Sequence, residues 1–151
     1  MTAEVRAILL AEDDPRDVEL TLEALAEYNL RNEVVVVEDG AEALDYLYRR
    51  GKFAQRNSGN PAVVLLDIKM PKVDGLQVLK AIKEDPDLKT LPVVMLTSSR
   101  EERDLIESYR LGVNAYVVKP VRFLDFVESV KRLGAFWALL NEPPLGSRKP
   151  A

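Results

Sequence analysis

Four short apolar runs in this chain stop abruptly on polar or charged side chains, and that pattern constrains its fold more than any other. Ile8-Leu9-Leu10-Ala11 runs into Glu12, Asp13 and Asp14, and Val63-Val64-Leu65-Leu66 ends on Asp67. Val93-Val94-Met95-Leu96 ends on Thr97, and Tyr116-Val117-Val118 ends on Lys119-Pro120. Continuous Val- and Leu-rich runs of this length mark strands buried on both faces, as in a parallel sheet covered by helices. In an open parallel sheet, ligands and chemistry collect in the crevice beyond the carboxyl ends of the strands. One polar ending there is ordinary; four with matched chemistry describe a site.

Strands are predicted over Ala7–Ala11, Glu33–Val37, Val63–Asp67, Val93–Thr97 and Ala115–Val118. Helical periodicity fills the gaps. The first helix carries Val18, Leu22, Leu25 and Ala26 on one stripe, and Asp14-Pro15 suits an N-cap followed by proline at the first helical position. The second begins near Gly40 with Ala43, Leu44 and Leu47. The third follows Asp74-Gly75 and stops before Pro86. The fourth places Leu105, Ile106 and Tyr109 on one side and ends at Leu111-Gly112, a glycine stop. The last runs from about Phe123 to Leu140. Regular alternation makes this an α/β chain, a (βα)5 doubly wound parallel sheet of the flavodoxin-like kind with right-handed crossovers. Strand order 2-1-3-4-5 puts the topological switch point between the first and third strands, which brings Glu12 and Asp13 beside Asp67. Arg49–Asn60 is polar and glycine-containing, an exposed loop before the third strand. The domain is expected over residues 5–140, with 141–151 a short flexible tail containing three prolines and a glycine.

Composition removes whole classes of chemistry. The chain of 151 residues fits one domain. It has no cysteine, which excludes disulfides, thiolate metal sites and thiol nucleophiles. It has no histidine either, so the commonest general base is missing and no phosphohistidine can form on this chain. A net charge of −4 argues against direct nucleic-acid binding, which needs a concentrated basic face. No window resembles a signal peptide or a membrane span, so a cytoplasmic location is expected.

The remaining groups suit phosphoryl chemistry. Carboxylates held within a few ångströms repel one another, and a hard divalent cation relieves them. Mg²⁺ (or Mn²⁺) takes oxygen ligands and is held by one or two carboxylates plus a phosphate. Lys119 adds a positive charge that can pair with Asp67 at rest. Cation and lysine together can neutralise phosphoryl oxygens while the Thr97 hydroxyl donates to one of them. Asp67 is then the nucleophile, because carboxylates form aspartyl phosphates. Taken singly, each residue also has a plain structural role. Asp14 can cap a helix, Glu12 and Asp13 can answer a helix dipole, Thr97-Ser98-Ser99 can cap the fourth helix, and Lys119-Pro120 can be a surface turn. Their shared placement at one sheet edge is what sets them apart.

An acidic pair, a strand-end aspartate, a strand-end threonine and Lys-Pro, in that order on a (βα)5 chain, resemble the receiver domain of bacterial two-component response regulators. The resemblance spans Val5 to Leu140. The stretch Leu66-Asp67-Ile68-Lys69-Met70-Pro71-Lys72-Val73-Asp74-Gly75 is similar to the family's phosphoacceptor signature, an aspartate followed by Met-Pro and Asp-Gly. The resemblance implies that Asp67 accepts a phosphoryl group from a phosphohistidine of a sensor histidine kinase. It implies that Glu12, Asp13, Asp67 and the Lys69 backbone carbonyl serve the metal, with Asp13 a direct ligand. Thr97 then follows the phosphoryl group, Lys119 contacts it, and Tyr116 is a rotating aromatic switch, whose plain alternative is a packed ring. Three consecutive acids stand where the motif needs two, so the register could shift by one among Glu12, Asp13 and Asp14; counting from the apolar strand favours Glu12 and Asp13 and leaves Asp14 at the helix entry beside Pro15. The side chain of Lys69 stands where the family tunes dephosphorylation.

With no DNA-binding segment after the last helix, the chain reads as a stand-alone receiver acting through protein contacts. Glu-Asp-Asp-Pro, the long loop before the third strand and Phe136-Trp137 are similar to short regulators paired with phytochrome-type kinases. Phe123, Phe126, Phe136, Trp137, Leu139 and Leu140 exceed what one core-facing stripe needs, which predicts a homodimer through the face of helix four, strand five and helix five. Two rivals stand beside this reading. One is a pseudo-receiver adaptor without phosphorylation, against which the intact residue set argues. The other is a haloacid-dehalogenase-type phosphotransferase, which wants a second aspartate where Lys69 stands.

Overall fold

The computed structural model describes residues 7–27, 34–57, 59–98, 107, 110, 111 and 115–132. Its strands are β1 (Ile8–Ala11), β2 (Val34–Val37), β3 (Val63–Asp67), β4 (Val93–Thr97) and β5 (Ala115–Val118). All pair in parallel, in the order β2-β1-β3-β4-β5. The expected order is therefore the observed one, and three strand ranges coincide with their predictions. β1 starts at Ile8 rather than Ala7, and Glu33 lies outside the described residues.

Burial explains why the apolar runs were legible. β1, β3 and β4 are buried along their whole length, whereas the edge strands β2 and β5 are only partly buried. A central strand covered on both faces cannot alternate polar and apolar positions. Successive side chains then feed two cores. Ile8, Leu10, Leu65, Leu96 and Val117 pack on one side with Leu25, Phe126 and Val130. Leu9, Leu66 and Met95 pack on the other with Val78, Leu79 and Ile82.

Helix α1 (Pro15–Ala26) starts as its sequence dictates, with Asp14 accepting from the backbone N–H groups of Arg16 and Asp17 and Pro15 opening the first turn. Helix α2 (Gly40–Tyr48) is capped by Asp39, which accepts from the Glu42 N–H at 2.8 Å. Helix α3 (Gly75–Glu84) opens with a reciprocal capping box between Asp74 and Gln77 and ends two residues before Pro86. The last described helix is Phe123–Arg132. The predicted fourth helix falls mostly outside the described residues, as do the continuation of the last helix to Leu140 and the tail 141–151.

One loop is more ordered than its composition suggested. Within Arg49–Asn60, Gly51–Phe53 forms a 3-10 turn. The Arg56 guanidinium lies 4.2 Å from the Tyr46 ring centroid, while its Nε donates to the Tyr46 carbonyl at 3.0 Å. Phe53 meets the same ring edge-on at 5.0 Å. Tyr46 sits on α2, so the polar loop is anchored by contacts that its own sequence does not display.

The packing makes a direct comparison available. Leu65 is fully buried between strands, and Leu124 is 72% exposed on the last helix. In urea denaturation, Leu65→Ala is expected to lose about 2–5 kcal/mol and Leu124→Ala within about 0.5 kcal/mol. Equal losses would contradict the core described here.

Candidate functional site

Strand register delivers the polar endings to one place. Ala11 pairs with Leu66, so Glu12 comes level with Asp67, which itself pairs with Leu96. Thr97 follows Leu96 and pairs with Val118, and Lys119 follows Val118. The Lys119 N–H donates to the Thr97 carbonyl at 2.8 Å, extending the ladder one step beyond the strand. Together these residues line a pocket of about 210 Å³ that also takes in Asp13, Asp17 and Lys69. Glu12, Asp67 and Thr97 are buried, while Asp13 and Lys69 are exposed at its mouth.

Among the described residues, Glu12, Asp13 and Asp67 each offer a carboxylate oxygen within 4.8 Å of the others. Asp14 is committed elsewhere, as the cap of α1. Of the three consecutive acids, the structure gathers Glu12 and Asp13 around Asp67. The buried Lys119 ammonium donates to Glu12 Oε1 at 2.8 Å and to Asp17 Oδ2 at 2.9 Å, and stands 3.4 Å from Asp67 Oδ1. The expected pairing of Lys119 with Asp67 is present, but it is the longest of the three contacts.

Asp17 received no role from the sequence, because an acid in the first turn of a helix is already explained by the helix dipole. The available signal was position: an N-cap at Asp14 puts Asp17 in the first turn of α1, near the end of the sheet that carries the site. Glycine 75 is a second device. A Cβ there would collide with the Asp67 carbonyl, and the Gly75 N–H donates to the Ile68 carbonyl at 2.8 Å. Only glycine lets α3 begin this close to the acceptor strand. Ile68 and Met70 bury their side chains in the α2–α3 core and so anchor the loop that follows Asp67.

Tyr116 lies apart from the carboxylates. It pairs with Met95 across the sheet and packs, half-buried, against the core on the α2–α3 side. Thr97, two residues beyond Met95, lies on that same side by strand alternation.

Residues 8–131 match the response regulator receiver domain family. The chain belongs to that family. It is 62% identical to the bacteriophytochrome response regulator AtBRR, with a TM-score of 0.84 over 93% of this chain and 100% of that one. The response regulator Rcp1 of Synechocystis sp. is 40% identical over 132 residues, 87% of this chain and 88% of that protein. A solved Mn²⁺-bound form of Rcp1 superposes with a TM-score of 0.71 at 38% identity, covering 97% of this chain and 99% of that chain. The phosphorylated cyanobacterial phytochrome response regulator RcpA is 40% identical, with a TM-score of 0.73 over 95% of this chain and 100% of that one. As a receiver, this is a phosphoacceptor signalling protein of the two-component type. No helix among its described residues is long and apolar enough to cross a membrane.

The receiver's donor set fits a hard divalent cation. It offers carboxylate oxygens and no sulfur or imidazole, the ligands of Mg²⁺ and Mn²⁺ rather than of softer metals. Electrostatics point the same way. Burial, the largest cause, pushes the Glu12 carboxyl up from 4.5 to about 7, against the Lys119 hydrogen bond and reinforced by the Asp67 charge. Burial also raises Asp67, opposed by the Lys119 charge and by hydrogen bonds to Glu12 and Lys119. For Lys119 burial alone would favour the neutral amine. Its hydrogen bonds to Glu12 and Asp17, and the charges of Asp67 and Glu12, overturn that and hold it protonated. The pocket carries more negative charge than one ammonium satisfies.

The sign of the resulting pH dependence is fixed. A carboxyl with a raised folded pKa keeps a proton that the unfolded chain has lost, so stability falls as pH rises from 4.5 through about 7. Metal-free protein is expected to melt lower at pH 8 than at pH 6. Glu12→Gln should flatten that decline, and Mg²⁺ should offset it in the parent. A parent and a Glu12→Gln variant with the same pH slope would show that Glu12 is not pushed up.

Proposed function

We propose that Asp67 accepts a phosphoryl group from a phosphohistidine of a sensor histidine kinase, and that Thr97 and Tyr116 convert this into a conformational change. The observation that carries the reading is the buried Asp67 carboxylate standing between two further acids and the Lys119 ammonium in one open pocket. An oxygen of Asp67 attacks phosphorus, the P–N bond breaks, and the imidazole departs. The nucleophile must be ionised, and Lys119 favours that form by charge and hydrogen bonding against the effect of burial. Glu12, Asp13, Asp67 and the Lys69 backbone carbonyl would hold Mg²⁺ or Mn²⁺, which supplies neutralisation of phosphoryl charge. Lys119 contributes a second positive charge, and phosphoryl transfer needs little beyond such positioning and neutralisation.

The Thr97 hydroxyl is suited to donate to a phosphoryl oxygen on Asp67. It shares a sheet side with Tyr116, so a shift of Thr97 alters the space open to that ring. This is a local electrostatic change biasing a two-state packing element. The names of the related regulators support a phytochrome-type kinase as donor. β5 is the last strand of the sheet, and its edge with the Phe123–Arg132 helix belongs to the face through which we propose a homodimer, joined by the predicted fourth helix. The receiver unit is taken as residues 5–140.

Intact mass after incubation with Mg²⁺ and acetyl phosphate tests the acceptor. One phosphoryl group is expected on the parent and none on Asp67→Asn or without metal. No addition to folded, Mg²⁺-binding parent would favour the adaptor alternative. Tyr116→Ala should load as the parent does while its self-association, followed by sedimentation, no longer responds to phosphorylation. A monomer at every concentration, loaded or not, would remove the dimer.

A further inference from the structure

We infer that Asp17 is a positioning residue that holds the Lys119 ammonium back from Asp67 and so restrains loading of the receiver. The inference rests on Asp67 being the phosphoacceptor. An ammonium has three N–H donors, and three carboxylates lie in reach of this one. Its contacts to Glu12 and Asp17 are 2.8 and 2.9 Å, against 3.4 Å to Asp67. Glu12 and Asp67 extend from neighbouring strands. Asp17 reaches Lys119 from helix α1 and lies outside the Glu12, Asp13, Asp67 triad, so its carboxylate acts on the lysine rather than on a cation site.

The Asp17 backbone is fixed from both sides. Its N–H donates to Asp14 Oδ1 at 3.4 Å, and its carbonyl accepts from the Thr21 hydroxyl at 2.9 Å, with Thr21 buried. The carboxylate therefore has limited freedom to follow a moving ammonium. The lysine, on a flexible four-carbon stem, is the partner that moves. A phosphoryl group on Asp67 brings charged oxygens that compete for the same N–H donors. Meeting them requires the ammonium to close its 3.4 Å separation and to lengthen or surrender its contact with Asp17.

A second effect has the same sign. The incoming phosphodonor is an anion, and Asp17 adds negative charge to a pocket already lined by Glu12, Asp13 and Asp67. Removing the Asp17 charge frees Lys119 toward the acceptor and lowers repulsion toward the donor. It does not strand the lysine, which keeps Glu12 and Asp67 as partners.

The test is the initial rate of phosphorylation by acetyl phosphate at saturating Mg²⁺, read by intact mass, for parent, Asp17→Asn, Asp17→Glu and Asp14→Asn. Asp17→Asn is expected to load roughly threefold or more faster, the kinetic trace of weakening one charge-assisted hydrogen bond. Asp17→Glu should return toward the parent rate, because it restores the charge and the acceptor. Damage to the fold would not produce a gain, and thermal melts of each variant check for it. An Asp17→Asn rate equal to or below the parent's overturns the inference. So does an equal gain in Asp14→Asn, which removes a neighbouring charge without touching Lys119. A parent that takes up no phosphoryl group overturns the acceptor reading itself, whereas a parent that loads normally beside an unaccelerated Asp17→Asn overturns only the role of Asp17.

Discussion

A buried ammonium among carboxylates is the interaction on which this end of the molecule depends. Glu12 is 1% exposed and Asp67 is 5% exposed, and both would repel each other as anions at this separation. Lys119 balances part of that charge through short contacts to Glu12 and Asp17. Burial makes each unbalanced charge costly, because water no longer solvates it. The remaining imbalance is chemically useful. A pocket short of positive charge favours a divalent cation, and the two together make a place where a phosphoryl group can be accepted.

The sheet supplies the precision. Parallel pairing with fixed register brings Glu12, Asp67, Thr97 and Lys119 to successive positions along one edge. Alternation then divides them, with Thr97 placed on the same side as Tyr116 while Lys119 reaches α1. Charge chemistry and aromatic packing thus meet across a sheet only one residue thick. Gly75 lets α3 start directly behind the Asp67 carbonyl, and Gly40 allows the start of α2 to lie against the Val73 carbonyl. Both close approaches hold the acceptor loop against the α2–α3 layer.

Much of this was legible in the chain. The central strands could be read because burial on both faces forces continuous apolar runs, and the start of α1 because Asp14-Pro15 is a cap and first-turn proline of ordinary type. The pairing of Lys119 with Asp17 could not be read, since 102 positions separate them and each has a local explanation. The anchoring of the loop before β3 was equally hidden. Arg56 and Phe53 look like polar-loop residues until Tyr46 of α2 is placed beside them.

By itself the sequence determined the strand order, the sheet edge that carries the chemistry and the residue types gathered there, because short-range patterning and topology rules are local consequences of backbone geometry and burial. Only the tertiary structure decided which carboxylates share the lysine, and how closely each of them approaches it. Those outcomes depend on distances of a few tenths of an ångström between side chains from different elements, and such distances are set by packing rather than by order along the chain.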